Sequence, residues 1–432
     1  MSRSLFKVPS RFHSRYLRTR LEAQGIINVP TIRTRKAAPR LAFAPVGSGP
    51  VRDVLVCVFQ RGGMDGLSAF IPYGDGANYY DARPDIAVKA PGSGDGSALD
   101  LGGGFGLHPS LAPFKALYDA GQLAVIRATG GVDPTRSHFD AMRYMEQGVP
   151  SDKTVSSGWI ARHLQSVATQ NTSPLRAVGF GSLVQASLRG ASALALESIA
   201  DFHLNGRYDE LAALRSQLES LYQVNASPAS GGLLDQQAKL VLETIDLLQT
   251  LEGTAYVPEN GALYPDDDFA AQLKQAAQLI KANVGLEIAC IDVGGWDTHE
   301  TQGTNGGYFS DHLATFANSI GAFCADLGNA MSNVTVVTMS EFGRRVEQNG
   351  SAGTDHGHGN VMFAMGGGVN GGQMYGPWPT LAPEALNDGD VDIRTDQRQV
   401  LAELVSRRLV NSDASVFPNF TAQPLGVFRP RT

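Results

Sequence analysis

Four stretches of nearly unbroken apolar residues punctuate the chain: DVLVCVFQ (53–60), LAVIRAT (123–129), LEIACIDV (286–293) and VTVVTMS (334–340). A run without polar alternation suits a strand covered on both faces, the situation of a parallel sheet. Between the runs lie segments with apolar residues at helical spacing, LAPFKALYDAG (111–121) and FSDHLATFANSIGAFCADLGNAM (309–331). Strands alternating with helices predict an α/β fold, a three-layer αβα sandwich around a mostly parallel central sheet. From 205 to 283 the pattern becomes amphipathic helix throughout, as in YDELAALRSQLESLY and FAAQLKQAAQLIKA, and predicts an inserted helical layer. Its leucines read as helix-packing core rather than a partner-binding face. It holds no histidine, and its acids alternate with bases as on a solvated face, so no metal ligand is expected from it.

Composition adds three limits. The first 50 residues carry ten basic side chains against the single acid Glu22, although the whole chain has a net charge of −7. Residues 1–48 therefore read as a basic arm or a degenerate export segment, with 49–432 as the folded domain. The arm lacks the apolar stretch of a secretory signal, but Ala42-Phe43-Ala44 has the small-x-small form of a cleavage site. An acidic body argues against a nucleic-acid partner. No run of about 18 apolar residues is present to span a membrane. Cys57, Cys290 and Cys324 are widely spaced and read as small buried hydrophobes.

The loop after each strand carries the candidate chemistry. RGGMDGLS, after the first, brings Asp65; GGVDPTRSHFDAM, after the second, brings Ser137 and His138. GGWDTHETQ, after the third, brings Asp297 and His299; EFGRR, after the fourth, brings Glu341 and Arg344. GTDHGHGN (353–360) then adds Asp355, His356 and His358 among glycines. In a parallel sheet such loops converge on one rim, outside the carboxyl ends of the strands. Asp, Glu and His together are the ligands of a divalent metal, zinc first, with manganese, magnesium or calcium as alternatives. Taken singly, each is equally a turn or capping residue. Ser137 stands before a helical pattern, where a hydroxyl is either an N-cap or an attacking group in positive potential.

The motifs FQRGGMDGL, TRSHFDAMRYMEQG, GGWDTHETQG, TMSEFGRR and TDHGHG, from about residue 52 onward, resemble the DUF1501 family of bacterial proteins. That family is similar to the alkaline phosphatase and sulfatase superfamily, so the resemblance implies an alkaline-phosphatase-like sandwich with a metal-dependent hydrolytic site. It implies Asp65, Asp297 and His299 as metal ligands and Ser137 as nucleophile; either Glu341 replaces a further ligand, with Asp355, His356 and His358 supplying the rest, or the site has lost one of two metals. Departures are visible: Asp297 and His299 are separated by one residue where three are usual, and Glu341-Phe342-Gly343 stands where the superfamily has Asp-His-Gly. The resemblance also implies twin-arginine export to the periplasm or beyond, although no consecutive arginines precede the small-x-small site and a cytoplasmic location stays open.

The expected function is hydrolysis of a phosphate or sulfate ester, on a small molecule or a polymer, with Ser137 attacking. His138 would act as acid or as ligand, and Arg344 or Arg136 would grip the anionic oxygens. The alternative is a non-catalytic envelope or surface protein using a metal for structure or polymer binding. Oligomeric state is not readable.

Overall fold

The computed structural model describes residues 53–167, 169–204, 210–222, 233–252 and 256–431. The expectations for the basic arm and for Ala42-Phe43-Ala44 lie outside these residues. In chain order the strands are β1 (Val54–Gln60), β2 (Phe70–Ile71), β3 (Leu99–Gly102), β4 (Phe105–Leu107), β5 (Leu123–Gly130), β6 (Ala177–Phe180), β7 (Leu194–Leu196), β8 (Ile288–Val293), β9 (Val334–Met339), β10 (Asn360–Gly366), β11 (Gln373–Tyr375) and β12 (Thr395–Asp396).

The main sheet runs β11-β5-β10-β9-β1-β8-β6-β7, with β12 beside β5, and β2-β4-β3 form a small separate sheet. β1 lies at its centre, parallel to β8 on one side and β9 on the other. The pairings β6 with β7 and β8, and β11 and β12 with β5, are also parallel. Among the described strands of this sheet only β10 runs against its neighbours, β5 and β9. The apolar runs did not predict this reversal. It arises from the connection: residues 340–359 contain no crossover helix, so the chain returns beside β9 in the opposite direction. Both ends of that segment therefore sit on the rim where β1, β5, β8 and β9 end.

Residue alternation on β1 assigns the two faces. Val54, Val56 and Val58 enter a core with Phe269 and Leu273 of helix Asp268–Lys281 and Phe316 and Ile320 of helix Tyr308–Leu327. Leu55, Cys57 and Phe59 enter a second core with Trp159, Ile160, Leu401 and Leu404 from helices Trp159–Ser166 and Gln397–Arg407. Helices on both faces of a mostly parallel sheet make the three-layer sandwich. Among the described residues of 205–283 there is no strand; helices Leu211–Leu221, Leu233–Glu252 and Asp268–Lys281 occupy it. Leu218, Leu242, Ile245 and Leu248 join the core of the first face, so these helices form a layer of the sandwich. All three cysteines are free and buried. Among the described residues no helix is long and apolar enough to cross a membrane.

Candidate metal centre

Helix His138–Gln147 begins at the rim after β5, with Ser137 as N-cap and left-handed Gly148 ending it. An Asx turn sets the approach, Thr135 N–H donating to Asp133 Oδ1 at 2.9 Å. His138 Nδ1 lies 2.7 Å from Glu341 Oε1. The same carboxylate oxygen also accepts Gly62 N–H at 2.8 Å, so it faces His138 as an acceptor. His138 Nδ1 is therefore the protonated nitrogen, and Nε2 bears the lone pair. Nε2 is buried and makes no hydrogen bond among the described residues; Asp297 Oδ2 lies 3.5 Å from it.

After β8 the chain turns tightly over buried Trp296, and Thr298 and His299 N–H donate to the carbonyls two residues before them. This aims both Asp297 and His299 outward. His299 Nδ1 meets Asp355 Oδ1 at 3.1 Å, which leaves its Nε2 as the lone-pair atom. Asp355 also accepts Asn349 Nδ2 at 3.1 Å. The 340–359 segment doubles back on itself, with Arg344 and His356 forming an antiparallel bridge. His356 Nδ1 lies 2.9 Å from the Arg136 carbonyl oxygen and donates to it, so its Nε2 too is the lone-pair atom.

The glycines around these histidines are required by close approach. A Cβ on Gly353 would lie 2.2 Å from the carbonyl carbon of His299, and one on Gly357 would lie 2.4 Å from that of Arg344. Neither φ is positive; the reason is contact with backbone, not strain.

The lone pairs converge. One ligand atom each of His138, Asp297 and His356 lies within 4.8 Å of the other two. His299 Nε2 is 3.0 Å from His356 Nε2 and 3.0 Å from Asp297 Oδ1, and His356 Nε2 is 3.3 Å from that same oxygen. Acceptors facing acceptors at these distances repel unless a cation or proton lies among them. Ligands about 2.0–2.1 Å from a tetrahedral ion stand about 3.3–3.4 Å apart, which matches this spacing. One atom each of His138, Asp297 and His356 could hold a divalent cation, with His299 beside Asp297 and His356.

Electrostatics agree. Burial pushes the Asp297 carboxyl upward, but the Arg344 hydrogen bond and the positive charges around it outweigh burial and hold it below the usual carboxylate range. Hydrogen bonding to Glu341 raises the basicity of His138, and a more basic imidazole is a stronger ligand. Burial lowers His356. Asn349 and His299 lower Asp355 by hydrogen bonding to it.

Other expected site residues take different places. Asp65 is fully buried away from the cluster, with Oδ2 held by Arg83 Nη1 at 2.6 Å, Ser68 Oγ at 2.7 Å and Gln302 Nε2 at 2.8 Å. Arg83 thus supplies the positive charge that a metal would otherwise bring to Asp65. Glu341 and Asp355 reach histidines, not the point of convergence. His358 turns aside, its Nε2 3.3 Å from the Asp133 carbonyl oxygen. Arg344 is buried, its guanidinium donating to the carbonyls of Gly62, Gly63, Trp296 and Thr354 and to Asp297 Oδ1 at 2.6 Å, so it positions Asp297 and cannot grip a substrate. The side chain of Arg136 pairs with Asp390 and Asp388. Ser137 is exposed at the helix start and its hydroxyl makes no cap hydrogen bond. Arg83, Gln302, Thr354 and the Arg136 carbonyl were missed from the sequence, where a buried Arg-Asp pair and a main-chain oxygen leave no local signature.

Fold and site together define an αβα sandwich with a cluster of histidines and carboxylates at the carboxyl edge of its sheet. The family described as protein of unknown function (DUF1501) matches residues 130–411, and the chain belongs to it. That span contains His138, Asp297, His299 and His356, whereas Asp65 precedes it. No curated protein matches the chain. Among solved structures it is similar to Ps i-CgsB, at 12% identity and a TM-score of 0.38, covering 86% of this chain and 75% of that one. It is also similar to a protein of the alkaline phosphatase superfamily from Vibrio parahaemolyticus, at 9% identity and a TM-score of 0.36, covering 84% and 67%. A mutant TAB5 alkaline phosphatase with Mg bound shares 13% identity at a TM-score of 0.29, covering 73% and 92%.

Proposed function

We propose that this chain is a metal-dependent hydrolase of phosphate or sulfate esters with Ser137 as nucleophile. The observation that carries the reading is the convergence of the His138 and His356 imidazoles with the Asp297 carboxylate, with His299 beside the last two, each imidazole held from its other nitrogen by a carboxylate or carbonyl oxygen. Imidazoles together with a carboxylate are a ligand set that suits zinc. A cation bound there would neutralise the ester's anionic oxygens and favour the ionised form of a nearby hydroxyl.

The chain's own groups do the rest. Ser137 Oγ, unengaged as a cap, attacks the phosphorus or sulfur and gives up its proton to solvent as the alcohol leaves and takes one up; water then cleaves the serine ester, releasing phosphate or sulfate and restoring the hydroxyl. The first turn of helix His138–Gln147 places free N–H groups where negative charge gathers during attack. Both ring nitrogens of His138 are committed, Nδ1 to Glu341 and Nε2 to the cluster, so it serves as ligand and not as acid. Asp297, His299 and Asp355 have side chains 49%, 42% and 56% exposed, which leaves room for an ester carried on a polymer.

One observation favours the second reading, a non-catalytic surface protein that binds a metal and a polymer: neither Arg344 nor Arg136 is free to hold an anion. Metal analysis of the purified full chain, then turnover of phosphate and sulfate monoesters and diesters with and without chelator, separates the two. Chelator-sensitive turnover that falls by several orders of magnitude in Ser137→Ala, with metal content unchanged, supports the hydrolase. Full activity in that variant moves the attack to Thr135 or to water. A metal-loaded protein inert to every ester favours the second reading.

A further inference from the structure

We propose that Gln302 is a positioning residue for the metal centre, a buried hub that sets the distance between the two loops carrying its ligands. The inference rests on the metal reading above. Gln302 is fully buried, and its amide makes four hydrogen bonds. Oε1 accepts the hydroxyls of Thr298 at 2.8 Å and Thr354 at 3.1 Å. Nε2 donates to Asp65 Oδ2 at 2.8 Å and Ser68 Oγ at 3.0 Å.

Thr298 lies between the ligands Asp297 and His299; Thr354 lies two residues before His356. The two threonines are also joined directly, Thr354 N–H donating to the Thr298 carbonyl at 3.0 Å. The Thr354 carbonyl in turn accepts Arg344 Nη1 at 2.8 Å, and Arg344 holds Asp297. Gln302 thus joins both ligand loops to each other and to a fixed base. The base is Asp65, locked by Arg83 at 2.6 and 3.1 Å, with Arg83 also donating to the carbonyls of Arg345 and Val346.

Only a carboxamide meets these demands. It offers two donor hydrogens and an oxygen with two lone pairs, and all are used. Its orientation is dictated by the partners, since a flipped amide would set its oxygen against the Asp65 carboxylate. A buried polar network satisfied at every atom is rigid. The 3.0–3.3 Å spacing of Asp297, His299 and His356, which lie on the two joined loops, is therefore held by this network.

The test uses the full chain with zinc as probe, measured by competition against a chromophoric chelator, and with cobalt(II) as a spectroscopic substitute. Gln302→Glu keeps the shape but loses both donors and sets a second carboxylate against Asp65. Thr354→Val removes a single hydroxyl and is the variant to rely on if the first fails to fold. We expect zinc affinity to fall about 10- to 100-fold in Gln302→Glu and by less in Thr354→Val, as for loss of groups that orient metal ligands. The cobalt visible band should shift in both. A merely structural role would lower the unfolding midpoint of the metal-free protein and leave zinc affinity and the cobalt spectrum at parental values, which overturns the proposal for Gln302. A parental protein that binds no zinc overturns the metal reading itself, and this inference with it.

Discussion

His138 Nδ1 and Glu341 Oε1 stand 2.7 Å apart, although 203 residues separate them in the chain. Strand β9 delivers Glu341 to the rim and the helix after β5 delivers His138, with β10 between those two strands. The carboxylate fixes the tautomer and direction of the His138 ring and lies outside the cluster of His138, Asp297 and His356. Replacing Glu341 with glutamine keeps the shape and an acceptor but removes the charge that makes His138 basic. We expect Glu341→Gln to bind zinc about 10- to 100-fold more weakly while the protein stays folded, measured by chelator competition beside circular dichroism. Unchanged affinity would show that the contact does not serve the metal.

The two histidines of GTDHGHG have opposite fates. His356 Nε2 enters the cluster 3.3 Å from Asp297, whereas His358 Nε2 meets the Asp133 carbonyl oxygen. His356→Ala should lose most of its bound metal on gel filtration, and His358→Ala should keep the parental stoichiometry. The check is elemental analysis of both variants; equal loss in the two would place His358 among the ligands.

Much of this was legible in the sequence. Unbroken apolar runs marked β1, β5, β8 and β9, because strands covered on both faces need no polar alternation. The loops after them held Asp297, His299, Asp355 and His356, which the structure brings together. The short strands β6, β7, β11 and β12 carry too few residues to show a period, and the reversal of β10 depends on what its connection lacks. The division of acids between ligands and supports was also hidden. Asp65, Glu341 and Asp355 have the same chemistry as Asp297, and only the partner each meets, Arg83 or a histidine Nδ1, decides its part.

Gly353 lets two ligand loops touch. With a methyl group 2.2 Å from the His299 carbonyl carbon, Gly353→Ala must separate the 297–302 and 353–358 segments. We expect at least about a tenfold loss of zinc affinity, since misplaced ligands lose the spacing that fits the ion. Gly350→Ala, where the added carbon meets nothing within 4 Å, is the control and should bind as the parent does. Parental affinity in Gly353→Ala would mean that the loops have slack to spare.

The last prediction concerns stability, and the residue is His163, buried in helix Trp159–Ser166 with its Nδ1 accepting Asn411 Nδ2 at 3.0 Å. Burial, helped by the charge of Arg176 and opposed by Glu287, lowers its pKa from 6.5 to about 4. Above pH 6.5 the ring is neutral in folded and unfolded chains alike, and its contribution to stability is fully present. As the pH falls below 6.5 the unfolded chain binds a proton that the folded chain refuses until about pH 4, so stability is lost across that window. The loss amounts to up to about 3 kcal/mol. His163→Gln keeps an acceptor for Asn411 and removes the proton site. It should be less stable than the parent at about pH 7.5, yet lose less stability on going to about pH 4.5, by about 2–3 kcal/mol. Urea unfolding of both proteins at the two pH values, with chelator present so that the metal-centre histidines contribute equally, measures the difference. An identical acid-induced loss in parent and variant would show that His163 already takes up its proton in the folded state near pH 6.5.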